Sequence, residues 1–478
     1  MGGLKETKDS KYKGLRMAHV AGKGADGCGV QRTSAEAIIW SKKVGAVTDY
    51  YAYDKKFGRA DGHDMDIKIF NMKNIKETAQ YLNDNYDIVI FMNYPSNKHD
   101  HDYSKAFYYD FFMKIENPIK VFMEHDIHKG QIDKTTYLVP MLYNADVVTH
   151  FDTDTWFSKT LDDLGIKKIN ERLFKYTLWM NFDDLDQWRQ RYLNKKKPGV
   201  VSVTRWSSLK NIRRSIDIMD AVQKRKPDWH CEVYGVERSI GAKFDILDYE
   251  KTIYVNPNGN KDNEETGSVC VNGPVRRNDG IDIVASHLFS SSFYSLPKKP
   301  ENYGNRMEYT QIEIIGAGTI PIFDKHWAQN NKTKDGTYYY DIPYSAIYTD
   351  GTDVDEVADK LIEIEENEEE KRKFLETSYN LVVQEFGADT VIPEFIDKVQ
   401  KAGKNKNQKH IFEIYKELHS STYSEELEKL EEEGKLPVYG IGELEEGEVA
   451  FLGGAKGHSQ EHVKKVKRNK GGKIKELF

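Results

Sequence analysis

Cysteine is nearly absent from this chain. Cys28, Cys231 and Cys270 are the only three among 478 residues, and they lie far apart without the spacing of metal ligands, which argues against a zinc site and fits a reducing cytoplasm. Long hydrophobic runs are also missing. None approaches the length of a membrane span, and the polar start MGGLKETKDSKYK has the character of neither a signal peptide nor an anchor. Gly2 invites N-terminal acylation, but Glu6 stands where that pattern wants Ser or Thr. Residues 1–14 therefore read as a loose tail. Nor is there an excess of basic charge: 70 Lys and Arg against 77 Asp and Glu leave a formal charge of −7. Bulk charge gives no pointer to a nucleic-acid partner, and contacts of that kind would need local basic patches.

At 478 residues with 38% hydrophobic content, the chain is long enough for two sizeable cores and too long for one. The pattern is one of alternating strands and helices. LRMAHVAG reads as a strand, a glycine-rich loop follows, and RTSAEAIIWSKKVG has the apolar spacing and glycine stop of a helix. VTDYYAYD, YDIVIFMN, IKVFMEH and ADVVTH continue the series, as in a parallel doubly wound sheet. Basic and breaker residues interrupt it at NKKKPG, residues 194–199. A second series then begins with VVSVTR, a helix from Lys210, HCEVYG, a helix starting near Asn305, TIPIF, and acidic helices to about Gly403. The expected organisation is a tail over 1–14, one α/β domain over 15–195, a second over 196–403, and a charged extension over 404–478. In the extension, YSEELEKLEEEGK reads as an acidic helix and HVKKVKRNKGGKIK as a basic tail compatible with disorder.

The residues that can carry chemistry gather where strands pass into helices. GKGADGCGVQRTSAE places Gly22, Gly24, Gly27 and Gly29 between the first strand and a helix, where bare amides can receive a phosphate. The Lys-Ser/Thr of a nucleotide-hydrolase loop is missing, and the glycines are out of register with a dinucleotide fingerprint. A plain tight turn explains them as well. Arg205 and Lys210, in TRWSSLKN, can neutralise a diphosphate as its charge develops, or form a solvated surface pair. Glu313 lies on the helix before Gly316 and Gly318. Its carboxylate can accept both hydroxyls of a ribose while the small residues admit a nucleotide to the backbone.

The glycine-rich first loop, Arg-x4-Lys and Glu-x4-Gly-Thr-x-Pro together resemble the GT-B nucleotide-sugar glycosyltransferases. GADGCGV, YAYDKKFGR, EHDIH, NADVVTHFD, VERS and RMEYTQIEIIGAGTIPIF resemble, in the same order, segments of the DNA α-glucosyltransferases of T-even bacteriophages, over roughly residues 15–400. The resemblance implies an α/β GT-B fold with two Rossmann-like doubly wound domains facing across a cleft. It implies transfer of a sugar from a UDP-sugar, with no tightly bound cofactor and no metal, to a modified cytosine in double-stranded DNA. Such an enzyme would work in the cytoplasm of an infected bacterium, shielding phage DNA from nucleases. By position, Glu313 would hold the ribose, Arg205 and Lys210 the diphosphate, and Gly27, Cys28 and Gly29 would lie near phosphates and sugar, with Gly318 and Thr319 on the donor side. Asp126 would orient or deprotonate the acceptor hydroxyl, and His125 would contact sugar or base. The family retains anomeric configuration, so the leaving phosphate can itself take the proton. Lys55, Lys56 and Arg59 match a basic loop that can hold DNA phosphates, and a flipped base is expected.

Departures from the pattern bear on specificity. Asn305 stands where many relatives in the wider fold carry a sugar-contacting Glu, eight residues before Glu313. That leaves glucose and a pentose such as arabinose both open as donors, and hydroxymethyl- and hydroxycytosine as acceptors. Asn211 stands where Gly commonly follows the lysine. A glycan-modifying GT-B enzyme is the alternative. Asp152 and Asp154 imitate a metal-binding Asp-x-Asp, but helix capping suits them better. His99 and His101 read as a solvated loop.

Overall fold

The computed structural model describes residues 10–21, 29–52, 66–70, 74–92, 108, 111–123, 141–142, 144–150, 173–204, 210–235, 252–255, 261–262, 268–273, 275–293, 307–403, 449–452, 464–468 and 474–476. The chain divides into two compact units, Met1–Tyr176 with Ile392–Phe478, and Thr177–Val391.

In the first unit, β1 (Arg16–Ala21), α1 (Gly29–Val44), β2 (Val47–Ala52), β3 (Ile67–Ile69), α2 (Ile75–Asn85), β4 (Ile88–Met92), β5 (Ile119–Met123), β6 (Val147–His150) and β7 (Leu173–Lys175) follow in chain order. The seven strands form one parallel sheet in the order β3-β2-β1-β4-β5-β6-β7. A parallel sheet is covered on both faces and so reads as continuous apolar runs. β4, Ile-Val-Ile-Phe-Met, is buried throughout. From β1 the chain builds outward to β2 and β3, then returns to lay β4 on the other side of β1. That reversal is a topological switch point, and ligands of such sheets bind beyond the carboxyl ends of the strands there.

The second unit holds α3 (Phe182–Tyr192), β8 (Lys197–Val203), α4 (Ile212–Arg225), β9 (His230–Tyr234), β10 (Thr252–Val255), β11 (Lys261–Asp262) and β12 (Val269–Asn272). It continues with α5 (Arg277–Ser286), β13 (His287–Ser292), α6 (Tyr309–Gly316), β14 (Ile320–Asp324), α7 (Lys325–Asn330), β15 (Ile347–Thr349), α8 (Val354–Glu366) and α9 (Glu368–Phe386). The sheet runs β11-β10-β12-β9-β8-β13-β14-β15, parallel except for β11. Its core joins Val200, Ile216, Met219, Phe289, Ile320, Ile322 and Leu361, with Trp229 stacked on Phe289 at 5.9 Å. The switch point of this sheet lies between β8 and β13.

α10 (Ala388–Gly403) begins in the second unit and ends in the first. In the first unit, Phe395 meets the ring of Phe174 at 5.9 Å, and Asp397 accepts from Tyr12 Oη at 3.0 Å and Lys11 Nζ at 2.8 Å. The basic tail contains structure that its composition conceals. β16 (Val449–Leu452), β17 (Lys464–Arg468) and β18 (Ile474–Glu476) form a small antiparallel sheet, because the lysine-rich run finds an apolar strand, Val-Ala-Phe-Leu, to pair with. The proposed acidic helix lies outside the described residues. No helix among the described residues is long and apolar enough to cross a membrane.

Candidate nucleotide-binding site

At the switch point of the second unit, the chain leaves β8 and starts α4 at Ile212, two residues later than the sequence suggests, because Asn211 is the N-cap. Its side chain accepts from the amide of Arg214 at 3.4 Å, and its own amide donates to the carbonyl of Phe293, just beyond β13, at 3.3 Å. The asparagine that departs from the expected glycine therefore ties the start of α4 to the neighbouring strand end. It also places Lys210 at the carboxyl end of the sheet, beside a helix N-terminus, where the positive end of the helix dipole favours an anion.

α6 explains why two carboxylates sit in an otherwise apolar run. The helix starts at Tyr309, not near Asn305, since Glu308 serves as its N-cap: its carboxylate accepts from the amide of Gln311, while Gln311 Oε1 accepts from the amide of Glu308 at 2.9 Å. This reciprocal pair is a capping box in which a carboxylate replaces the usual Ser or Thr hydroxyl at the N-cap. The Glu308 carboxylate also pairs with Lys210 Nζ, whose side chain is only 13% exposed. One turn further on, Glu313 Oε1 accepts from Arg277 Nε at 2.8 Å. Arg277 opens α5, and its Nη1 lies 3.8 Å from Asp184 of α3. Two ion pairs thus tie the starts of α4 and α5 to α6, Lys210 to its N-cap and Arg277 to its middle.

Arg277 was not among the residues singled out from the sequence. Its only mark there is a second arginine in VRRND, and nothing local couples it to an acid on another helix.

Gly318 and Thr319 are placed elsewhere. They follow the far end of α6, where Gly318 adopts φ +75° and a Cβ would stand 2.7 Å from Arg189 Cγ. At Gly316 a Cβ would meet Leu185 of α3 at 2.5 Å. The room left by these glycines is taken by α3. Thr319 is fully buried and donates through Oγ1 to the carbonyl of Val284 at 2.9 Å. Its amide donates to Ile314, and that of Gly318 to Ile315, both carbonyls in α6.

In the first unit, Gly29 opens α1 behind β1, and its carbonyl accepts from Thr33 Oγ1 at 2.9 Å. Gly27, Cys28, Lys55, Lys56, Arg59, His125, Asp126 and Arg205 lie outside the described residues, as do His99, His101, Asp152 and Asp154. Cys231 is a free thiol. Burial pushes the Cys231 thiol up to about 12, so it is an inert core residue.

Two doubly wound α/β units in tandem, each with its switch point at the carboxyl ends of the strands, are the architecture of the GT-B fold. Residues 28–369 match the family model described as DNA alpha-glucosyltransferase (AGT). The chain belongs to that family. The DNA alpha-glucosyltransferase of Enterobacteria phage T4 is 25% identical over 419 residues, which span 81% of this chain and 100% of that protein. Among solved structures, an alpha-glucosyltransferase in complex with UDP-glucose and DNA containing an abasic site superposes with a TM-score of 0.66 at 20% identity, covering 81% of this chain and 100% of the other. Anabaena HepE in complex with UDP and glucose has the same coverages, with a TM-score of 0.53 at 11% identity.

Proposed function

We propose that the chain transfers glucose from UDP-glucose to the hydroxyl of 5-hydroxymethylcytosine in duplex DNA. The observation that carries this reading is the meeting of Lys210 with Glu308, and of Arg277 with Glu313, at the switch point of the second unit, in a member of this family. The solved relatives' complexes with UDP-glucose and with DNA support the choice of substrates.

In the reaction, the bond from the anomeric carbon to the diphosphate oxygen breaks and one to the acceptor oxygen forms. The ammonium of Lys210 neutralises the charge growing on the leaving diphosphate, help that is greatest in the transition state, and Arg205 adds a second cation. Glu313 accepts the ribose hydroxyls, with Arg277 fixing one of its oxygens. Gly318 and Thr319 serve the donor by holding α6 in place. On the acceptor side, Asp126 orients the hydroxyl and His125 contacts sugar or base. Configuration is retained, and the acceptor proton passes to the departing phosphate. The target base leaves the stack to react, while Lys55, Lys56 and Arg59 grip phosphates and fix position without reading sequence. The product is phage DNA shielded from nucleases inside the infected bacterium.

The test is incubation with a panel of UDP-sugars and hydroxymethylated duplex DNA, followed by digestion to nucleosides and mass spectrometry. The expected result is one hexosyl residue added to 5-hydroxymethylcytosine with UDP-glucose. A pentosyl gain, or reaction only on 5-hydroxycytosine, would transfer the assignment to the corresponding donor or acceptor. No gain with any donor would overturn the reading, and transfer to a glycan alone would make the chain an ordinary GT-B enzyme.

A further inference from the structure

Gln31 occupies the third position of α1, on the first turn behind β1. It is 2% exposed, and among the described residues neither its amide nitrogen nor its amide oxygen has a hydrogen-bond partner. The same chain shows what a glutamine at this helical position ordinarily does: Gln311, third in α6, reaches back to complete a capping box. Gln31 makes no such bond. A buried amide left with both its donor and its acceptor unsatisfied is a rare and costly feature, and calls for an explanation.

Its surroundings narrow the choice of ligand. Helical side chains lean toward the N-terminus, so Gln31 projects to the carboxyl end of the first unit's sheet. One turn along the same face, Ser34 bonds His19 Nδ1 on β1 at 3.0 Å and Met92 Sδ, the last residue of β4, at 3.2 Å. The group therefore stands at the β1/β4 switch point. Arg32 and Glu36 of α1 are matched to each other at 2.5 Å, and His19 is held neutral by its burial. A phosphate needs donors alone and would meet the amide oxygen unfavourably, and a cation needs acceptors alone. A carboxamide offers one of each side by side, as adjacent sugar hydroxyls require.

We propose that Gln31 is a sugar-recognising residue, whose side-chain amide exchanges hydrogen bonds with hydroxyls of the transferred glucose and so sets donor specificity. The inference rests on the transferase reading above, and its test keeps the two separable. Gln31→Met, close in volume, is compared with wild type for melting temperature, UDP affinity by calorimetry, and steady-state transfer to hydroxymethylated DNA. An orphaned amide predicts a melting temperature that holds or rises, UDP affinity within about twofold of wild type, and kcat/KM for UDP-glucose reduced about 10- to 100-fold. A fall in melting temperature would show that the amide is satisfied within the protein, and would overturn the proposal. Unchanged kcat/KM would do the same. An equal loss of UDP affinity would move the amide to the nucleotide, and a change confined to the KM for DNA would move it to the base edge, each against the proposal.

Should the variant not fold, monodeoxy UDP-glucoses offered to wild type decide the matter. At least one should lose about tenfold or more in kcat/KM, and full tolerance of all of them overturns the inference. Wild type failing to transfer any sugar counts against the function, whereas wild type transferring beside an indifferent Gln31→Met counts against this assignment alone.

Discussion

In the proposed function, Lys210 is shared between structure and ligand. Its ammonium is paired with the Glu308 carboxylate, so a diphosphate bound there would compete with an acid already in place. Lys210→Ala is expected to weaken UDP binding about tenfold or more, as loss of a charge-assisted bond does. Glu308→Gln keeps an oxygen to cap α6 but releases the lysine, and should strengthen UDP binding about threefold. Calorimetry on both variants checks the opposite signs; equal weakening would show that Glu308 helps the nucleotide. His19 makes a different residue-scale prediction. Burial lowers its pKa to about 3, below the value near 6.5 of an unfolded histidine, so the folded state resists its protonation. Its stabilising effect is complete above about pH 6.5, and it drains away at about 1.4 kcal/mol per pH unit as pH falls toward 3. Urea denaturation at pH 7 and pH 5 should show a smaller loss for His19→Gln than for wild type.

The elements differ in how far they can be read from the chain. β4 follows from an unbroken apolar run of five residues, as a strand covered on both faces requires, while β1 and β5 are mostly apolar but carry His19 and Lys120 within them. β3, β7 and β15 have three residues each, too few for a pattern, and exist because a neighbouring strand supplies their hydrogen bonds. α6 is only eight residues long and would not persist alone. The capping box and the bond from Tyr309 Oη to the carbonyl of Trp179 at 3.2 Å anchor its start, and its register decides where Glu308 and Glu313 fall. In β8, Gly199 adopts φ +148°, and a Cβ there would lie 2.0 Å from the carbonyl oxygen of His230 on β9. Gly199→Ala should therefore separate β8 from β9 and cost about 2–4 kcal/mol, measurable as a lowered urea midpoint.

At the scale of the whole molecule, the first unit is not complete until the chain returns to it. Ile392, Phe395, Ile396 and Val399 of α10 are at most 4% exposed, and Gly403 seats the end of the helix on Ile119. Burial of four such side chains is worth roughly 6–12 kcal/mol, comparable to the entire stability of a domain. A chain ending at residue 391 should lose the cooperative unfolding of the first unit, whereas one ending at Gly403 should keep it. Urea titration followed by circular dichroism separates the two outcomes. The passage between units falls beside Pro393, which lies inside α10 and cannot donate to the helical ladder.

The order of the elements and the likeness to a family were legible in the sequence itself, because strand runs, helix stops and the Arg-x4-Lys and Glu-x4-Gly-Thr-x-Pro motifs are local patterns that survive in one dimension. Lys210 and Glu313 could be singled out as candidates in the same way, by their place just after a strand and one turn into a helix. Tertiary structure alone decided that Glu308 holds Lys210, that Arg277 holds Glu313, that Gly318 makes room for Arg189, and that Gln31 is buried with its amide unanswered. Each of these is a meeting of side chains, or the lack of one, between segments distant in sequence. Local spacing carries no record of such pairings, which are settled when the sheets close and bring the helix ends together.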